Sequence, residues 1–176
     1  TYDDLIAAQR VTSSDVSFVL PRRNWTSGTV YDYYRHDYGE YVTGSTTTRI
    51  TSDSGATNLT DSTYYVLSAA RNVYKCLDNN GGAASTDEPT GVSTSVITTT
   101  DSYKWKYMYT LSAAQQSNFL SIDFMAVSPN SSPSADQSNV MSAAVDGSID
   151  IVKIKSPGSG GTDGTFNGIP VRGDGS

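Results

Sequence analysis

One stretch constrains this chain more than any other: Asp101-Ser102-Tyr103-Lys104-Trp105-Lys106-Tyr107-Met108-Tyr109. Side chains alternate across a strand, so an extended backbone sends Tyr103, Trp105, Tyr107 and Tyr109 to one face and Lys104, Lys106 and Met108 to the other. Four aromatic rings in register suit a pleated, half-buried surface and dominate whatever core they enter. The stretch therefore reads as a central strand. It is preceded by a polar turn over 98–102 and followed by a helix whose N-cap is Ser112.

Composition explains why tyrosine matters so much. Only 36% of the 176 residues are hydrophobic, and twelve tyrosines supply much of the apolar bulk. A chain of this length buries roughly 70% of its unfolded surface, enough for one ordinary domain. Low aliphatic content with abundant Ser, Thr, Gly and Asn favours β structure over a helical bundle. The fold class expected is α+β, mostly β: antiparallel sheets in sandwich-like layers, two or three short helices, and long polar loops. No stretch approaches the roughly 20 apolar residues of a helical membrane span. The formal net charge of −6 argues against a nucleic-acid binder, which carries a basic footprint.

Along the chain, 2–10 reads as a short helix with acidic residues in its first turn. Val16, Phe18 and Leu20 alternate with Ser17 and Val19, a strand stopped by Pro21. The segment 26–41 is dense in tyrosine but poor in period, so it reads as an ordered loop or irregular strands. Strands are expected at 46–50, 64–67, 73–77, 122–127 and 148–155, and helices at 113–120 and 136–145. Asp78-Asn79-Asn80-Gly81-Gly82 is a strong turn signal. Beyond Pro157 the composition shifts to glycine, so 1–156 reads as one domain and 157–176 as a linker or the start of a further β module. Thr1 in place of Met, and the closing Gly173-Asp174-Gly175-Ser176, read as the ends of a segment of a longer chain.

Enzyme readings find little to stand on. His36 is the one histidine and Cys76 the one cysteine, and no nucleophile elbow or metal-ligand spacing accompanies them. Cys76 lies in an apolar run and reads as a buried, inert thiol. Gly158-Ser159-Gly160-Gly161-Thr162-Asp163 nearly matches a dinucleotide fingerprint, but Asp163 replaces the third glycine and would repel a pyrophosphate. No catalytic residue, metal ligand or cofactor is expected. The tyrosines of 31–41 read as interface anchors, or as core filling in a chain short of Leu and Ile, ahead of a site that stacks on sugars. The interface candidates are Arg22, Arg23, Trp25, Tyr31, Tyr33, Tyr34 and Tyr38, with Arg22 and Arg23 either pairing carboxylates or bracing a turn. The core candidates are Tyr74, Cys76, Tyr103, Trp105 and Tyr107.

Four segments also occur in a familiar order: Val19-Leu20-Pro21-Arg22-Arg23-Asn24-Trp25, Val73-Tyr74-Lys75-Cys76-Leu77-Asp78-Asn79, Pro89-Thr90-Gly91, and the aromatic strand itself. Together they resemble a baseplate wedge protein of contractile-tailed bacteriophages, the dimeric wedge subunit of the protein eight family. The resemblance spans about 5–127, and its Trp-Lys-Tyr strand is the most specific part. Ser102 stands where that family usually carries glycine. The resemblance implies a structural subunit of the virion tail baseplate, assembled in the host cytoplasm. It implies a homodimer joined to other wedge proteins, with no catalytic residues, no small-molecule substrate, and no nucleic acid or membrane partner. The rival expectation is a carbohydrate- or receptor-binding β module of a tail fibre or adhesin, using Tyr31 to Tyr41. On the leading reading the loops 22–41 and 79–96 contact partner chains and stay mobile without them.

Overall fold

The computed structural model describes residues 10–35, 38–43, 45–50, 52–153, 158–162 and 164–168. Its elements are β1 (Val19–Pro21), β2 (Gly39–Thr43), β3 (Thr46–Ile50), β4 (Tyr65–Leu67), β5 (Asn72–Asp78), β6 (Ile97–Thr98), β7 (Lys104–Thr110), α1 (Ala113–Phe119), β8 (Phe124–Ala126) and α2 (Ala135–Ala143). All the sheets are antiparallel: a four-stranded sheet in the order β4-β5-β7-β6 and two ribbons, β1-β8 and β2-β3. The described residues are mostly β, with two short α-helices and many exposed loops. The helix expected over 2–10 (Arg10 apart), His36 and Asp163 fall outside the described residues.

The four-stranded sheet is built on the pairing of β5 with β7, which sets Cys76 opposite Trp105 and Tyr74 opposite Tyr107. Tyr74, Cys76, Tyr103, Trp105 and Tyr107 are all completely buried. With Tyr31 and Val66 they form one core on one face of the sheet. Tyr109 departs from the expected alternation. Between Tyr107 and Tyr109 the pairing shifts by one residue, so that Tyr74 meets Tyr107 but its neighbour Val73 meets Tyr109. Met108 is the extra residue of a β-bulge, and a one-residue slip moves a side chain to the other face. Tyr109 accordingly joins a second core with Leu67, Val73, Leu111, Met125 and Ala126. One strand thus serves two cores.

Tyrosine can fill a core only if its hydroxyl finds a partner. Here the hydroxyls reach loop and strand carbonyls. Tyr103 donates to Ala83 O, Tyr74 to Gly91 O at 2.7 Å, Tyr109 to Ala126 O at 2.9 Å and Tyr38 to Tyr33 O at 2.6 Å. Thr110 donates to Asn72, and Asn72 to the Tyr74 hydroxyl, so Tyr107, Thr110, Asn72, Tyr74 and Gly91 form one chain of bonds. Burial pushes the Tyr103 phenol up to about 12, against the bond it receives from the Tyr31 N–H.

The 79–96 connection is therefore fastened to the core at several points. Besides the Tyr103 and Tyr74 anchors, Ser85 is buried and bridged to Thr29, and Pro89 is fully buried. Tyr103→Phe should cost about 1 kcal/mol, the net value of one hydrogen bond. It should also speed amide exchange around Ala83 more than anywhere in β5; uniform exchange across both would contradict this anchoring.

Local chemistry places the remaining elements. Ser112 and Gln115 form a reciprocal capping box at α1, and Ser134 caps α2 by accepting from Gln137 N at 3.2 Å. The Asn80-Gly81-Gly82 turn holds three successive left-handed residues (φ 50°, 68° and 86°), which explains its composition. Two strand expectations fail. Val16 and Phe18 lie outside β1 and are exposed, while Pro21 lies within it. β1 is an edge strand of three residues, where a missing N–H is tolerated. Residues 148–153 form no strand, since no sheet edge is hydrogen-bonded to them.

Candidate interaction surface

The seven interface candidates separate into three groups. Tyr31 and Tyr38 are corrections, because both are buried. The Tyr31 ring meets Trp105 edge-on at 5.9 Å, and its hydroxyl accepts from Thr26 N at 2.6 Å. Burial raises its phenol pKa and that of Tyr38. Their polar neighbours in sequence suggested a surface loop, but both rings turn inward.

Arg22, Arg23 and Trp25 are braces. Arg22 donates to Asn24 Oδ1 at 2.9 Å and to Ser121 O at 2.7 Å, and Arg23 donates to Asp61 O at 2.9 Å. Among the described residues both guanidinium groups serve carbonyls of their own chain, as a brace would. Trp25 packs partly buried on the first core and donates to Ser85 Oγ at 3.0 Å. The backbone beside it extends the sheet: Leu67 N donates to Arg23 O and Trp25 N to Leu67 O, which covers the outer edge of β4.

Tyr33 and Tyr34 remain available at the surface, half-buried and 38% exposed respectively. Lysines sit on both, Lys153 over Tyr33 and Lys75 over Tyr34, each 3.6 Å from the ring centre. Tyr64 meets Tyr34 edge-on at 5.3 Å and lies against Tyr65 at 4.6 Å, so three rings run in series across this side.

A second exposed surface surrounds the β1-β8 ribbon. Phe18 is 87% exposed and Ile122 89%, with Val16, Val19 and Phe124 also substantially open. Phe18, Val16, Val127 and Pro129 line a shallow depression there. The sequence placed Phe18 in a core-facing alternation, so nothing in it singled out this patch. Large apolar side chains grouped on a surface mark an interaction site more often than scattered ones.

Two carboxylates escaped the sequence reading. Asp32 is completely buried and accepts five hydrogen bonds, from the N–H and Oγ of Ser54, the Oγ of Ser62 and the N–H and Oγ1 of Thr63. Burial acts to raise its pKa, but those donors outweigh it and the net shift is downward. Asp101 accepts from Ser85 Oγ, Thr86 N, Asp87 N, Thr99 Oγ1 and Tyr103 N. It ties the start of the aromatic strand to the fastened loop. Burial opposes, yet the donors hold its carboxyl down to about 2, against an ordinary 3.8.

A carboxyl depressed in the fold stabilises fully above its unfolded pKa and loses that stability as pH falls through the folded one. Asp101 should therefore contribute on the order of 1–2 kcal/mol that disappears between about pH 4 and pH 2. Asp101→Asn should flatten that part of the acid-unfolding curve; an unchanged slope would remove Asp101 from the account.

Burial pushes the Cys76 thiol far above its usual range, and its sulfur lies 3.5 Å from Asp78 O. The thiolate is the reactive form, so Cys76 should resist a thiol reagent in the native protein and react only on unfolding. Modification within seconds in native buffer would contradict its burial. Among the described residues no three His, Cys, Asp or Glu side chains gather as metal ligands, and no helix is long and apolar enough to cross a membrane. No family model, curated protein or solved structure matches this chain.

Proposed function

We propose that this chain is a structural subunit of a contractile-tail baseplate wedge, joining neighbouring wedge proteins through protein–protein contacts. The observation that carries the reading is the backbone at Ser102. That residue adopts φ 65°, a left-handed conformation that favours glycine, at the position where the wedge family usually has glycine. The four resembling segments also assemble around one sheet. Residues 23–25 cover the β4 edge, β5 pairs with β7, and Gly91 receives the Tyr74 hydroxyl. The exposed apolar residues of the β1-β8 ribbon are the surface such a subunit would use. The rival, a sugar-binding module using Tyr31 to Tyr41, is weakened because Tyr31 and Tyr38 are enclosed.

Contractile-tailed particles that carry this sequence supply the test. An antibody raised against the chain should label the distal end of the tail in electron micrographs. Label confined to fibre tips, or binding of the chain to a glycan array, would transfer the case to the rival. A residue-level check is Ser102→Gly, which should stabilise the protein by about 0.5–1 kcal/mol, because relief of a strained φ exceeds the entropy glycine adds to the unfolded chain. Destabilisation would mean that the turn does not need glycine there.

A further inference from the structure

The pairing of β5 with β7 sets Lys75 directly opposite Lys106. Like charges at such positions destabilise a sheet unless an anion offsets them. Tyr34 takes up part of the Lys75 charge through its ring. Among the described residues the only carboxylate within ion-pair distance of either lysine is Asp150, whose Oδ2 lies 3.7 Å from Lys106 Nζ. That pairing is loose, and the Asp150 side chain is 51% exposed. The segment that delivers it, 148–153, is held chiefly by its side chains. Lys153 reaches Asp78 at 3.1 Å, Asn79 Oδ1 at 3.3 Å and the Tyr33 ring. Among the described residues no backbone hydrogen bond joins 149–153 to the sheet, and Ile149 and Val152 project into solvent.

We propose that the Lys75–Lys106 face is a docking site for an acidic, extended segment of a partner protein, and that residues 148–153 occupy it as a displaceable stand-in. Charge complementarity selects the occupant: two lysines stand opposite each other on paired strands of a chain whose formal net charge is −6. The seated segment, Ser148-Ile149-Asp150-Ile151-Val152, shows the chemistry that fits, one carboxylate between β-branched residues, with Ile151 bordering a groove beside Tyr33, Tyr34 and Leu77. Exposed ion pairs of this kind contribute only about 0–1 kcal/mol, so a partner that presents a better-placed carboxylate can lift the stand-in away. The site is independent of whether the chain belongs to a tail baseplate.

The test is an NMR titration of the full chain with two peptides, acetyl-Ser-Ile-Asp-Ile-Val-amide and its Asp-to-Asn analogue. The Asp peptide should shift amides around Lys75 and Lys106. It should bind Asp150→Asn about threefold to fivefold tighter than wild type, the factor that release of one exposed ion pair supplies. Binding should weaken in high salt and vanish in the double variant Asp150→Asn/Lys106→Gln, which should stay folded because it removes a like-charge pair. Equal binding of the two peptides, or of the double variant and Asp150→Asn, would overturn the proposal. So would sedimentation showing that wild type dimerises and Asp150→Asn does not, since the occupant would then be a second copy of this chain.

Discussion

Replacing Trp105 with alanine is expected to cost about 3–5 kcal/mol, the range for truncating a large aromatic residue in a core. Trp105 is fully buried, stacked on Tyr103 at 5.5 Å and met edge-on by Tyr31 at 5.9 Å, with Cys76 and Ile97 opposite it on the flanking strands. The loss would reach beyond the ring, because Tyr31 and Tyr103 are themselves the anchors of two loops. Against a typical total of about 5–15 kcal/mol, such a loss leaves a marginal protein. Among the described residues the buried Trp105 Nε1 has no hydrogen-bond partner. Trp105→Phe removes that orphaned donor and keeps most of the aromatic contact, so it should cost distinctly less, about 1–2 kcal/mol. Phe18→Ala, at an exposed position, should change stability by less than about 0.5 kcal/mol. Urea unfolding of the three variants gives the ranking; a Trp105→Ala loss no larger than that of Phe18→Ala would refute the register of β7.

What the sequence disclosed and what it hid follow from the range of the forces involved. Period-two alternation over 103–107 is local, and so is the capping box at Ser112, so both were legible. The bulge at Met108 was not. Nothing in Tyr107-Met108-Tyr109 marks an extra residue, because a bulge is defined only against the partner strand. The segment 148–153 carries strand-like alternation yet forms no strand: propensity supplies no pairing edge, and its side chains bind Lys106, Asp78 and the Tyr33 ring instead. Tyr31 and Tyr38 were left between interface and core for a related reason. A tyrosine amid Asp, Arg and Gly looks like surface, but a phenol that can reach a backbone group is as suitable for a core as phenylalanine.

That last point explains the architecture of the chain as a whole. With few aliphatic residues, its core is made from rings that carry a hydroxyl, and each buried hydroxyl needs an acceptor or donor. For Tyr31, Tyr74 and Tyr103 those partners belong to loops. The core tyrosines therefore pin the connections that a Leu- and Ile-rich core would leave free, and long polar loops become compatible with a small sheet. Two exposed surfaces lie outside these cores: the apolar side chains around the β1-β8 ribbon, and the lysine face under residues 148–153.

Asp32→Ala is expected to destabilise the protein by about 3–5 kcal/mol, comparable to the loss of the tryptophan, although a single small polar side chain is removed. The cost arises from what remains. Two backbone N–H groups and three hydroxyls, from Ser54, Ser62 and Thr63, would lose their shared acceptor in a buried site. Asp32→Asn should be milder, about 2 kcal/mol. One amide oxygen can still serve the four donors now gathered on Oδ2, but the amide nitrogen then faces the N–H of Ser54, donor against donor. Because the Asp32 pKa is depressed in the fold, its contribution is complete above the unfolded value of 3.8 and declines as pH falls through the lower, folded value. The difference in stability between wild type and Asp32→Ala should therefore be full at neutral pH and shrink in strong acid. Unfolding curves at pH 7 and in strong acid would show it; a gap that stays constant over that range would mean that size, not charge, is what the site requires.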